Sequence, residues 1–503
     1  MKNHQLFIYF ICLVSAMGGL LFGYDWVVIG GAKPFYEEYF HIAGDEGMQA
    51  LTMSIALLGC LLGATMAGFL ADRYGRKKLL VLSAFIFFAS SWATGAATAI
   101  PAFIIARLVG GMAIGLAADL SPMYIAEVAP TQIRGKLVTL NQLTIVLGIL
   151  GAQIVNMLIA EPVPEGATAA DILNSWNGQT GWRWMFWAVC VPSGLFFLLA
   201  LFIPESPRWL ASMKQMEKAR KVLCSIGGTA YADSEIENYT RAGAASHAEK
   251  GVLSLLFSSK MRNVLIIGIV VAMFQQWSGT NVIFNYAQEI FQAAGYGISD
   301  VLMNIVVTGI ANLVFTFVAI YTVDRLGRKT LMLTGSIGLA GIYTLLGLSY
   351  FFEFKGFIMI VFVVLAIGFY AMSLGPVTWV LLSEIFPNKV RGVAMAVCTA
   401  ALWIASFLLT YTFPFLNSGL GTGGTFLLYA VICFCGFLFV WRRNPETKGK
   451  SLEELEKELK AIIAQVGAAG PKDMGKVMGV ASKALAGRAE GRMISETVKR
   501  LLN

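Results

Sequence analysis

Twelve apolar stretches, most of them about twenty residues long, recur along these 503 residues and constrain the fold more than any other feature. A hydrocarbon core about 30 Å thick is crossed by roughly 20 residues of α-helix. Inside it each backbone N–H and C=O needs a partner, which a helix supplies within the segment itself. Barrel strands would be shorter and would alternate in polarity. The stretches lie at roughly 6–31, 48–71, 79–98, 101–124, 137–160 and 183–203, then at 262–292, 300–323, 330–352, 356–383, 393–415 and 423–441. Only 14% of the residues are charged and the mean hydropathy is +0.69, whereas a soluble domain carries roughly 25% charge. The expected fold is an all-α membrane protein with twelve transmembrane helices in two six-helix bundles. The expected units are a first bundle over 1–203, a helical linker over 204–261, a second bundle over 262–441 and a tail over 442–503. The first stretch has no small-residue cleavage site after it, which favours a retained span over a signal peptide.

The formal charge of +8 would suggest nucleic acid in a soluble protein; here it follows the bias of Lys and Arg toward cytoplasmic loops, and no nucleic-acid partner is expected. Arg73, Arg76, Lys77 and Lys78 lie between the second and third stretches, Arg134 and Lys136 between the fourth and fifth, Arg325, Arg328 and Lys329 between the eighth and ninth, and Lys389 and Arg391 between the tenth and eleventh. The opposite loops carry Glu37, Glu38, Asp45, Glu46, Glu161, Glu165, Asp171 and Asp300. That asymmetry predicts a multi-pass protein of a bacterial inner membrane with both termini in the cytoplasm. The seven cysteines lie mostly in apolar runs and form no metal-ligand quartet, so they read as free packing thiols and no metal is expected.

An internal repeat divides the chain. Asp72-Arg73-Tyr74-Gly75-Arg76-Lys77 returns 252 residues later as Asp324-Arg325-Leu326-Gly327-Arg328-Lys329. Glu127, Pro130, Arg134 and Gly135 return 257 residues later as Glu384, Pro387, Arg391 and Gly392. Two homologous bundles with a substrate site at their interface follow from this. Gly permits a short turn, and the flanking Asp and Arg offer ion pairs with charges at neighbouring helix ends; such pairs between the bundles would latch one access state. Topology alone requires basic loops, but it does not explain Glu127 and Glu384 at a constant distance from an Arg.

Polar side chains inside the apolar runs are the candidate site. Gln142, Gln275, Gln276, Asn281 and Asn312 are neutral amides, able both to donate and to accept hydrogen bonds without desolvating a charge. Each needs a partner, as interhelical glue or as part of a cavity. On an ideal helix Gln275 and Asn281 point about 120° apart, unless Gly279 unwinds the span. Trp379 follows a predicted break at Gly375-Pro376 and offers a flat apolar face with an N–H donor. Phe22, Gly375, Tyr286 and Trp403 are further wall candidates. Asp25 in the first stretch and Arg107 in the fourth are intramembrane charges. A carboxylate whose contact with an Arg changes between access states can carry a proton, and the alternative is a static structural pair.

These residues resemble the sugar porter family of the major facilitator superfamily. The likeness rests on the doubled Asp-Arg-x-Gly-Arg-Lys, on Pro204-Glu205-Ser206-Pro207-Arg208, on Gln275-Gln276-x-Ser278-Gly279-x-Asn281 and on Pro445-Glu446-Thr447. It covers about residues 5–452 and is greatest toward proton-coupled, xylose-carrying bacterial members. The resemblance implies alternating-access transport of a monosaccharide, of D-xylose or D-glucose type, as proton symport. A facilitative uniporter, or a sugar sensor signalling through the tail, stands as the alternative. It implies that Gln142, Gln275, Gln276, Asn281, Asn312 and Trp379 converge on the sugar, that Asp25 and Arg107 couple the proton, and that the motif residues gate, namely Asp72, Arg76, Glu127, Arg134, Glu205, Arg208, Asp324, Arg328, Glu384 and Arg391. The chain departs from the xylose-carrying pattern at Leu402 and Ile149, each in place of a Gln, at Asn285 in place of a Tyr, and at Val189 in place of a Glu. No cofactor besides the proton, an ordinary lipid bilayer and a monomeric state are expected. Three His without a nucleophile, and the lack of a phosphate-binding loop, argue against an enzyme or an ATP-driven pump. The segment 455–503 resembles the end of the helical tail domain of the tRNA-dependent amidotransferase B subunit and its small stand-alone relatives; it reads as a helical appendage.

Overall fold

The computed structural model describes residues 2–130, 133–245, 256–386, 388–444, 452–468, 470, 473–484 and 491–502. Among them, eleven helices are long and apolar enough to cross a membrane. The last, Asn388–Arg443, is two helices folded at Gly421, whose φ of 70° and ψ of 168° leave the helical region, so the spans number twelve. The first span continues past its predicted end near 31 to Tyr39, through Pro34. The sixth span starts earlier than predicted, with a π-helical turn at Asn177–Gly181 ahead of Trp182–Ala188 and Cys190–Ala200.

Apolar composition puts these helices in the membrane, and small residues decide how closely they approach. The second span (Glu46–Tyr74) and the fourth (Ile100–Val128) touch backbone to backbone. A Cβ on Gly111 would stand 2.0 Å from the Ala56 carbonyl oxygen, and one on Gly115 2.1 Å from that of Cys60. Dispersion between such close backbones holds membrane helices together where no hydrophobic force acts. The contact also sets the depth of Arg107, one turn before Gly111.

Two spans break. The seventh runs Ser259–Trp277 and resumes as Thr280–Asn285 after Gly279, which is left-handed at φ 83°. The tenth runs Phe357–Ala371 and resumes as Leu374–Ile385. Its break falls at Met372 and Ser373, ahead of the predicted Gly375-Pro376. A proline ring collides with the carbonyl four residues before it, which for Pro376 is that of Met372; Pro376 itself sits in the first turn of the new helix.

Between the sixth and seventh spans lie the short helices Pro207–Ser212, Met216–Gly227 and Thr229–Ala245. Leu210, Ala211 and Ala219 are buried among them. Beyond the spans, Leu452–Val466, Met474–Ala484 and Gly491–Leu502 bury Leu459, Ile462, Val477, Ala481, Ile494 and Val498 against one another. The tail thus has its own core, separate from that of the spans. Pro387, Pro445-Glu446-Thr447 and part of the tail motif lie outside the described residues. All seven cysteines are free thiols.

Candidate functional site

The site is built where the first and seventh spans face each other across the two halves. Arg107 Nη1 donates to Asp25 Oδ1 at 2.6 Å, and both side chains are only 5% exposed. Arg107 also lies over the Phe186 ring, 5.6 Å from its centroid. The pair lines a small cavity together with Phe22, Trp26, Cys60 and, from the second half, Asn285. Asn285 is 4% exposed, and its Oδ1 has no hydrogen-bond partner among the described residues. An orphaned buried acceptor costs about 1–3 kcal/mol, so it marks a place where a ligand or water is wanted.

The seventh span, which supplies Asn285, also carries a chain of amides. Gln275 Nε2 donates to the Gly375 carbonyl at 3.3 Å, Gln276 Nε2 to Gln275 Oε1 at 2.8 Å, and Asn281 Nδ2 to Gln276 Oε1. The left-handed Gly279 makes this possible: it interrupts the helix and turns Asn281 back toward Gln276, removing the separation of about 120° expected on a continuous helix. A Cβ at Gly279 would also stand 2.8 Å from the Tyr429 ring.

Aromatic side chains form one wall. Trp403 packs edge-on to Phe22 at 5.7 Å between centroids and lies 6.2 Å from Trp26. Its Nε1 is buried without a hydrogen-bond partner among the described residues. Trp379 is half-buried against the core of the second half. Tyr286 is turned elsewhere: its hydroxyl donates to the Thr410 carbonyl at 2.7 Å and its ring packs on Phe413 at 4.4 Å. Asn312 is buried and Gln142 half-buried. Among the described residues no hydrogen bond joins either of them to the Gln275–Gln276–Asn281 chain.

The motif loops pair within each half rather than across the two. Arg76 Nε lies 3.0 Å from Glu127 Oε2 and its Nη2 lies 3.2 Å from Asp72 Oδ1. Glu205 Oε1 accepts from the backbone N–H of Arg76 and Lys77 at 2.8 and 3.0 Å, capping the third span. Ser206 Oγ donates to Glu127 Oε2 at 2.5 Å. In the second half Arg328 forks onto Glu384, with Nη2–Oε1 at 2.8 Å and Nε–Oε2 at 3.1 Å. Arg134 and Arg391 each donate from Nε, at 3.2 Å, to the backbone carbonyl five residues earlier, Ala129 and Phe386. Arg208 is exposed, because it projects from the outer face of the short helix Pro207–Ser212. The Asp324 side chain lies outside the described residues.

Three polar residues of this region were missed as site candidates. Asn285 was read only as a departure from a family pattern. Gln153 is 2% exposed, with neither polar side-chain atom hydrogen-bonded among the described residues, and its Oε1 would stand 1.8 Å from a Cβ on Gly309 of the eighth span. It lies eleven residues after Gln142, three helical turns on the same face, and that spacing was the available signal. Asn156 donates to the Val28 carbonyl at 2.9 Å.

Two six-span halves with a polar, partly unsatisfied chamber between broken helices define a secondary transporter. The family described as "Sugar (and other) transporter" matches residues 11–459, and the chain belongs to it. It is 38% identical to the arabinose-proton symporter of Bacillus subtilis over 91% of this chain and 96% of that protein. It is also 38% identical to the D-xylose-proton symporter of Escherichia coli over 90% of this chain and 96% of the relative. The solved inward-open conformation of the Escherichia coli xylose transporter XylE superimposes with a TM-score of 0.78 at 35% identity, covering 90% of this chain and 99% of that one. Residues 448–502 match the family described as "Yqey-like protein", in keeping with the tail resemblance read from the sequence.

Proposed function

We propose that this chain carries a monosaccharide, a pentose or hexose, across a bacterial inner membrane by alternating access, together with a proton. The observation that carries the reading is the chamber itself. The buried Asp25–Arg107 pair and the unsatisfied amide of Asn285 border one space between the halves, and the span that supplies Asn285 also carries the Gln275–Gln276–Asn281 amide chain, so a titratable carboxylate and hydroxyl-matching amides belong to one interface. Neutral amides match sugar hydroxyls in both directions, and the Trp403–Phe22–Trp26 wall suits the apolar faces of a sugar ring. The names of the relatives, which specify arabinose, xylose or glucose with a proton in two cases, support the same class.

In this reading the sugar bonds to the amide chain, to Asn285 and to the aromatic wall. Asp25 takes up a proton when Arg107 releases it and gives it back when the pair reforms. The neutral form of the site crosses between access states more easily than a lone buried carboxylate. The halves then rock about the chamber, and the Arg76–Glu127 and Arg328–Glu384 pairs hold each half rigid. The basic loops and both termini face the cytoplasm, the surroundings are bilayer lipid, and the working unit is a monomer.

A uniporter is the second reading, favoured by Val189. It is fully buried in the apolar core of the sixth span, where coupled relatives of the resemblance carry a Glu. Purified protein in proteoliposomes with an internal pH dye separates the two. Sugar-driven acidification of the lumen supports symport, sugar entry without proton movement leaves uniport, and no entry for any sugar of a pentose and hexose panel removes the sugar reading.

A further inference from the structure

Lys33, near the end of the first span, is 2% exposed. Its Nζ lies 2.9 Å from Glu37 Oε1, one turn on, and donates to Glu289 Oε1 in the short helix Ala287–Ala293 that follows the seventh span in the other half. Gln49 Nε2, from the second span, donates to Glu37 Oε2 at 3.3 Å. The Tyr286 ring lies 5.7 Å from the ammonium. One turn nearer the chamber the two backbones meet: a Cβ on Gly30 would stand 2.7 Å from the Phe284 carbonyl oxygen. Close by, the Val163 N–H donates to Ser299 Oγ at 2.9 Å, again from one half to the other. This end of the chamber is therefore shut by contacts between the halves.

We propose that Lys33, Glu37 and Glu289 form the charge latch of the outer gate. The geometry gives each residue a distinct part. Glu37 and Lys33 share one helix, so their pair survives any rigid rocking of the halves. Glu289 belongs to the other half, so its bond to Lys33 exists only while the outer end is closed. Opening exposes Glu289 to water and leaves Lys33 neutralised by Glu37. Neither state strands a lone charge, which keeps the cost of switching small compared with breaking an isolated buried pair. Glu289 is 24% exposed even when latched, against 5% for Glu37, so it is the member nearer the water that enters on opening.

The latch rests on the alternating-access reading, and its test needs no sugar, so the two fail separately. Cys60 lines the chamber beneath the gate. Full-length protein in right-side-out vesicles is treated with a membrane-impermeant maleimide, and modification of the Cys60 peptide is followed by mass spectrometry. Glu289→Gln, which removes only the charge between the halves, is expected to speed labelling roughly tenfold. The swap of Lys33→Glu with Glu289→Lys keeps one cation between two carboxylates while the gate is closed but leaves both carboxylates on the first span without it on opening, so labelling is expected to return to the wild-type rate or below. An unchanged rate in Glu289→Gln, or a correctly inserted swap that labels as fast as Glu289→Gln, overturns the latch. Should Glu289→Gln fail to accumulate, Glu289→Asp shortens the arm by one methylene and must label at an intermediate rate; a wild-type rate there overturns the proposal as well.

Discussion

Arg107 and Asp25 meet at 2.6 Å across the fourth and first spans, each only 5% exposed. The pair borders the same space as Asn285 from the other half. On the proposed reading, a sugar held there touches the surroundings of the titratable group directly, without a long relay.

Asp25→Asn keeps a hydrogen-bonding side chain beside Arg107 but cannot exchange a proton. Sugar counterflow is expected to persist in this variant, while accumulation driven by a pH gradient falls to a ratio of about 1. Uptake of labelled sugar into proteoliposomes with and without the gradient checks this. Accumulation at wild-type level would assign Asp25 a purely structural part.

Gln276 both donates to Gln275 and accepts from Asn281. Gln276→Ala removes the middle of the chain and leaves Gln275 Oε1 and Asn281 Nδ2 without their partner. With each lost hydrogen bond worth about 1 kcal/mol, sugar affinity is expected to fall at least tenfold, with the protein still inserted. Isothermal titration of the purified variant measures it, and normal affinity would take Gln276 out of the site.

Gly279→Ala meets two obstacles, a φ of 83° and a Tyr429 ring carbon 2.8 Å from the new methyl. Left-handed backbone costs a non-glycine residue about 1–2 kcal/mol, and the ring must also move. The melting temperature in detergent and the sugar affinity are expected to fall together, because the same turn aims Asn281. A drop in stability alone would uncouple the turn from the site.

Arg76 and Arg328 occupy equivalent loops but have unequal partners. The side chain of Glu127 is 7% exposed and that of Glu384 27%. Removing a cation from a buried carboxylate costs about 3–5 kcal/mol, and water offsets more of the loss at Glu384. Arg76→Met is therefore expected to lower thermal stability more than Arg328→Met, as read by fluorescence-detected size-exclusion after heating. The opposite order would contradict the exposure argument.

The tail buries its six core residues among its own three helices. Deleting 452–503 is expected to leave transport within about twofold of the full chain, since no core of the spans is opened. Vesicle uptake by the truncated protein tests this, and loss of flux from an inserted protein would tie the tail to the transport cycle.

Much of the architecture was legible before any coordinates, because it is written in local quantities. The length of an apolar run sets whether a helix crosses the bilayer, loop charge biases its direction, and a motif repeated 252 residues apart reveals two related halves. Gly279 was legible as a hinge for the same reason: glycine beside a polar cluster is a local signal. The positions of Arg134, Arg391 and Arg208 were not, since the same guanidinium serves a carboxylate or a nearby carbonyl according to the turn that carries it.

What the sequence by itself determined is the set of twelve spans, their pairing into halves and the inventory of polar groups within them. What only the tertiary structure decided is which of those groups meet. Asp25 finds Arg107 over 82 residues and Lys33 finds Glu289 over 256, while Tyr286 turns away to Thr410 and Asn285 takes the place in the chamber. The rotation of each helix about its axis, and the exact point where a span breaks, select the partners. A helix face is fixed by packing against neighbours distant in the chain, and no window of residues read alone contains them.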